Sequence, residues 1–126
     1  MFQILGLIWG GGRPAVVRST ADRLLALQRK DGGWSQIPAL RSDPYATGQA
    51  LVALHEAHAI SVHSPAYQRG IRYLLNSQLE DGSWHVASRA AAIQPYFDSD
   101  FPHGPDQFIS AAASNWASMA LLTIVR

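Results

Sequence analysis

The sequence contains no cysteine. That excludes disulfides, thiol nucleophiles and cysteine-ligated zinc, and it leaves the redox compartment open. It also lacks an excess of charge of either sign. Ten Lys and Arg stand against nine Asp and Glu, scattered along the chain, for a formal net charge of +1. That is no electrostatic footprint for nucleic acid or for an anionic membrane surface. No apolar run is long enough to cross a bilayer. The opening Met1–Trp9 stretch, MFQILGLIW, has no basic residue before its short apolar run and is followed by three glycines. It reads as the end of a core helix rather than as a signal peptide, which leaves the cytoplasm as the default compartment. Nothing alternates with period two over a useful length, so no strands are expected. No cofactor-binding motif is present either, and no cofactor is expected.

What is present is material for a core. Of the 126 residues, 48% are hydrophobic and 15% charged, which suits one folded domain and not a disordered tail. Two segments match at a fixed offset. Residues 24–34 read LLALQRKDGGW and residues 74–84 read LLNSQLEDGSW. Gln28, Asp31, Gly32 and Trp34 recur as Gln78, Asp81, Gly82 and Trp84, each 50 positions later. A period of this size is the mark of a repeat architecture.

Helical spacing surrounds both copies. Val17, Ala21, Leu24, Leu25 and Gln28 share a face behind Pro14, and Tyr67, Ile71, Leu74, Leu75 and Gln78 share one behind Ser64-Pro65. After the first copy, Asp43-Pro44 opens a helix with Ala46, Ala50, Ala53, Leu54 and Ala57 on one side. After the second, Ile109, Ala113, Trp116, Ala117, Ala120, Leu121 and Ile124 form a wide apolar stripe. The order is helix, Gln-Asp-Gly-Trp turn, helix, twice over. The alanine-rich second helices predict close helix–helix approach.

The second copy, from Arg69 and Gly70 through Tyr73, Leu74, Gln78 and Gly82 to Trp84, resembles the QW motif of the squalene and oxidosqualene cyclases in full. The first copy keeps Gln28, Gly32 and Trp34 but has Ser19, Thr20 and Arg23 at the basic, small and aromatic positions. The same repeat occurs in protein prenyltransferase β subunits. The resemblance covers the chain from about Pro14 onward. It implies an all-α fold of α/α-toroid type, built of helical hairpins, with Gln28, Gly32, Trp34, Gln78, Gly82 and Trp84 as structural residues that tie neighbouring hairpins together. The whole chain, 1–126, is then one repeat domain, with hairpin 1 at about 14–60 and hairpin 2 at about 64–126. Rings of this family contain more than two hairpins, so the expectation is an incomplete ring, a C-terminal fragment completed by missing repeats or by a partner chain. The family also implies an apolar, isoprenoid-like small molecule as ligand. The alternative is a non-catalytic helical-repeat module that mediates protein contacts.

The copies differ in one place. Trp34 to Thr47 spans 13 residues and Trp84 to Ser114, the matching position, spans 30, so the second carries 17 more. This insertion, at about 90–108, holds the densest polar and aromatic cluster of the chain, from Gln94 to Phe108. Three readings compete for it. Asp98-Ser99-Asp100 forms the D-x-D of the class II cyclase acid motif D-x-D-D, which makes Asp98 and Asp100 catalytic candidates; Phe101 stands where the last aspartate belongs, and the family's acid motif lies elsewhere in its chain. Asp98, Asp100, His103 and Asp106 are candidate metal ligands of oxygen and imidazole type, although the cysteine that prenyltransferase zinc requires is missing. The third reading is structural, and it carries the most weight: prolines and Gly104 shape the loop, Asp106 or Gly104 caps the last helix, and aromatic rings hold the loop down. Such a loop can still line a cavity, and Tyr96, Phe97, Phe101, Phe108 and Trp116 are the candidate ligand-lining residues. His55, His58 and His63 lie near a helix end and the following loop; His55 and His58, three apart, could chelate, but a pair at a helix C-terminus beside the dipole is commoner, and His85 has no evident partner in the sequence.

Overall fold

A computed structural model describes residues 1–91 and 95–125. Five α-helices account for its regular structure: α1 (Phe2–Trp9), α2 (Pro14–Ala26), α3 (Pro44–Glu56), α4 (Pro65–Ser77) and α5 (Gln107–Leu122), the last preceded by a 3₁₀ turn at Gly104–Asp106. Among the described residues there is no strand, so the chain is all-α. Among the described residues no helix is long and apolar enough to cross a membrane.

The helix starts follow from local chemistry. Asp43 accepts a hydrogen bond from the Ala46 amide at 2.8 Å, and Ser64 accepts one from Tyr67 at 3.3 Å. Each cap satisfies a donor that the helix leaves unpaired, and each is followed by a proline at the first helical position, where the missing N–H costs nothing. The ends fall earlier than the apolar stripes suggest. Helix α2 stops at Ala26 and α4 at Ser77, so both motif glutamines stand just beyond their helices.

Helix α3 is the centre. Ten of its thirteen residues are buried, from Pro44 to Leu54. It lies against α5 at the distance that small residues permit: a Cβ on Gly48 would stand 2.7 Å from the backbone of Trp116 and Ala117. The alanines at 46, 50, 53, 113, 117 and 120 are all fully buried on these two helices. Close approach, and not merely helix propensity, accounts for their small size. Helix α1 leans on α2 and α3, and α4 lies beside α3 and α5. Tyr67, fully buried, ties α4 to the end of α5 through a 2.8 Å hydrogen bond between its hydroxyl and that of Thr123.

The two Gln-Asp-Gly-Trp turns are bonded alike. Gln28 and Gln78 each donate to the carbonyl of their own glycine at 2.9 Å. Asp31 and Asp81 each accept from the amide two residues on at 2.9 Å. The indoles of Trp34 and Trp84 donate to Leu24 and Leu74 at 2.8 Å, and their amides donate to Thr47 Oγ1 and Ser114 Oγ at 3.0 Å. Gly32 and Gly82 adopt φ of 89° and 83°, the left-handed region that an L side chain resists. Both tryptophans are buried, at 1% and 2% exposure.

Candidate functional site

The extra segment after Trp84 runs back over α5, and polar side chains of α5 hold it. Ser110 accepts from the Val86 amide at 3.0 Å and Ser114 from the Trp84 amide. Gln107, fully buried at the start of α5, donates to the Phe97 carbonyl at 2.9 Å and accepts from both the amide and the hydroxyl of Ser99. Positions 107, 110 and 114 fall on one helical face. The apolar stripe of α5 is legible in the sequence; this polar face beside it is what sequence reasoning missed, and the spacing of Gln107, Ser110 and Ser114 is the signal that marks it.

The insertion so held encloses an apolar groove of about 580 Å³. One wall is the segment Ser88, Ala90 and Ala91; the other is Phe108, Ile109 and Ala112 of α5, with Tyr45 of α3 at the base. Pro95, Tyr96 and Phe97 form the lip. Tyr96, Phe97 and Phe108 are 63%, 65% and 54% exposed, so large aromatic area stands open to a ligand. A concave, mostly apolar site of this size suits a small molecule. Of the five candidate lining residues, Tyr96, Phe97 and Phe108 border this groove. Phe101 instead stands edge-on to His103, with ring centroids 6.4 Å apart, and Trp116 stands edge-on to Phe2 at 6.1 Å. Gln94 lies outside the described residues.

The acidic candidates do not converge. Asp98 accepts from the Asp100 amide at 3.0 Å in a local turn, and both residues are exposed. Asp106 points away from them: its carboxylate accepts from the Ser88 amide at 2.7 Å and meets His85 Nε2 at 2.7 Å. His103 meets the Ser83 hydroxyl at 2.8 Å, and its ring stacks on His85 at 4.9 Å. Because Ser83 Oγ donates to Asp81 at 2.6 Å, it is His103 Nε2 that donates to Ser83. Among the described residues no group of three or more His, Asp or Glu is arranged to hold a metal ion.

Two expectations change here. Asp106 occupies the N-cap of α5, but its side chain makes no cap bond; it accepts instead from the Ser88 amide. His85 has a partner after all, in that same carboxylate. Hydrogen bonds from Ser88 and then His85 hold the Asp106 carboxyl below its usual value, and the Ser83 hydroxyl and amide do the same for Asp81. The two aspartates and two histidines thus fasten the insertion to the second turn.

Three curated proteins share sequence with the chain. The squalene–hopene cyclase of Bradyrhizobium diazoefficiens is 36% identical over 80 residues, covering 55% of this chain and 12% of that protein. The drimenyl diphosphate synthase of Streptantibioticus cattleyicolor is 31% identical over 78 residues, covering 62% and 14%, and that of Streptomyces showdoensis is 32% identical over 92 residues, covering 73% and 17%. No family model matches the chain, and no solved structure matches it significantly. The chain spans less than a fifth of the length of the curated relatives it matches. Its sequence therefore shows partial homology to terpene-cyclase-like proteins, with which its all-helical fold is compatible.

Proposed function

We propose that this chain is a helical-hairpin segment of a terpene-cyclase-like α/α toroid and that its groove holds an apolar, isoprenoid-like chain. The groove itself carries the reading. It is apolar, bordered by three exposed aromatic rings, and closed on one side by the segment that distinguishes the second helix pair from the first. Aromatic faces suit both hydrocarbon and, in a cyclase, developing positive charge. The proposed role is to bind and shape the ligand, since Asp98 and Asp100 are exposed, Asp98 accepts from the Asp100 amide, and neither lines the groove. Closing a ring requires further hairpins, supplied by additional repeats or by a partner chain.

Calorimetric titration of the full chain with farnesol tests this, with Ala112→Trp as the comparison because residue 112 lines the groove and a large ring there fills it. Saturable binding that the substitution abolishes, with circular dichroism unchanged, is the expected result. No binding by the unsubstituted chain, or equal binding by both, refutes it.

A further inference from the structure

Beside the groove lies a second hollow of different chemistry. Tyr45 of α3, at the base of the groove, also borders a smaller cavity of about 330 Å³ where α1 meets α3, with Phe2, Gln3, Gln36 and Gln49 among its walls. The groove is apolar, whereas three glutamines border the smaller hollow. Gln3 is exposed and open to water. Gln36 has both ends of its amide occupied: it donates to Asp43 at 3.0 Å and accepts from Arg89, in the segment after Trp84, at 2.7 Å. Gln49 is different. It is 2% exposed, and its Nε2 is the one buried side-chain polar atom among the described residues that has no hydrogen-bond partner. An unpaired buried donor keeps the whole cost of its lost hydration. The buried stretch that follows it, Ala50 to Leu54, is apolar throughout, so packing alone does not call for an amide at position 49.

We infer that the two hollows take the two ends of one molecule, an isoprenoid alcohol: its hydrocarbon lies in the groove and its hydroxyl is held in the smaller hollow by the Gln49 amide. Tyr45 is a wall common to both hollows, and Tyr45 and Gln49, four positions apart, share a face of α3. A hydroxyl both donates and accepts, so it satisfies the nitrogen or the oxygen of an amide alike. Charge argues for a neutral head. None of the side chains lining either hollow is charged, so nothing there offsets the cost of stripping water from a diphosphate. Asp43 and Arg89 stand behind Gln36, each bonded to it. This inference rests on the groove as the ligand's site, and it adds the chemical class of the head group and the residue that selects it.

The test titrates the full chain with farnesol and with farnesene, the corresponding hydrocarbon, in the wild type and in Gln49→Leu. Leucine removes the unpaired donor, so the variant keeps its fold and its urea midpoint does not fall. The ratio of farnesol to farnesene affinity should be about tenfold higher in the wild type than in Gln49→Leu, the loss typical of a buried polar group deprived of its partner. Taking the ratio in both chains cancels the different hydration of the two ligands. In the labelled wild type, the Gln49 side-chain amide resonances should shift saturably with farnesol and stay in place with farnesene, a readout that does not depend on the variant. An equal ratio in both chains overturns the inference. So does a Gln49 amide unmoved by saturating farnesol, since its partner would then be a trapped water only, and so does tighter binding of farnesyl diphosphate than of farnesol. Farnesene that binds while the ratio stays equal refutes the head-group assignment and leaves the groove standing; no binding of either ligand refutes both.

Discussion

Replacing Gln28 and Gln78 separately by alanine compares one side chain in two settings. Gln28→Ala removes the donor to Gly32, the donor to Ala66 and the acceptor of Arg69. Each neutral bond contributes roughly 0.5–1.5 kcal/mol net. The bond from Arg69 would rank higher, but Arg69 is exposed and solvent screening brings it to about 1 kcal/mol or less. The sum is a loss of about 2–3 kcal/mol. Gln78→Ala removes a single exposed bond within the turn, at about 0.5 kcal/mol. Urea denaturation of both variants, with equal m-values, reads the difference directly. A gap of about 2 kcal/mol is expected, and a double-mutant cycle between Gln28 and Arg69 should show positive coupling. Losses equal within about 0.5 kcal/mol would refute the reasoning, because the contact across to α4 would then contribute nothing.

Trp84→Ala should cost about 3–5 kcal/mol, since it empties the space of a buried ring and leaves the Leu74 carbonyl without its indole donor; a loss below about 1 kcal/mol in chemical denaturation would contradict its burial. Gln107→Leu should release the lip of the groove by orphaning the Phe97 carbonyl and the Ser99 amide, and raised amide exchange at 97–99 with α5 intact is the measurement. Asp81 and Asp106 titrate below their ordinary value of 3.8 in the folded chain. Their contribution is therefore complete above that value and is lost as pH falls through the lowered ones. Urea midpoints between pH 2.5 and 7 should drop more steeply below about pH 4 in the wild type than in an Asp81→Asn, Asp106→Asn double variant, and parallel curves would count against the fastening role.

How much of this was legible depended on the range of the interactions. Asp43-Pro44 and Ser64-Pro65 announced their helices because a cap acts within four residues. Equating Ser114 with Thr47 was possible because both lie on apolar-striped helices after matching turns, and both accept from the motif tryptophan's amide. Beyond that range the sequence ran out. The acids of the insertion look alike in composition, yet Asp98 turns on its own backbone while Asp106 reaches 18 and 21 positions back to Ser88 and His85. The polar side chain most responsible for the groove, Gln107, looked like an ordinary first-turn residue, since nothing local reveals that a helix start will be buried by a loop. The resemblance implies that Gln28 ties neighbouring hairpins but does not name its target, which is a carbonyl in the first turn of α4.

One position shows how a small change alters what leans on a turn. Gly33 is crowded: a Cβ there would stand 2.8 Å from Ser42 Cβ and 3.0 Å from the Tyr73 ring of α4. No side chain fits while that ring is in place. The matching residue is Ser83, whose hydroxyl donates to Asp81 and accepts from His103 of the insertion. Both turns keep their aspartate bond to the amide at this position, so the backbone is common to both. Glycine admits the Tyr73 ring of α4, whereas serine gives a polar hold to a loop. The second turn therefore serves the insertion through Ser83 while its Gln78 side remains open. The two faces of one turn can act separately because Gln78 and Ser83 bond to different partners and share none.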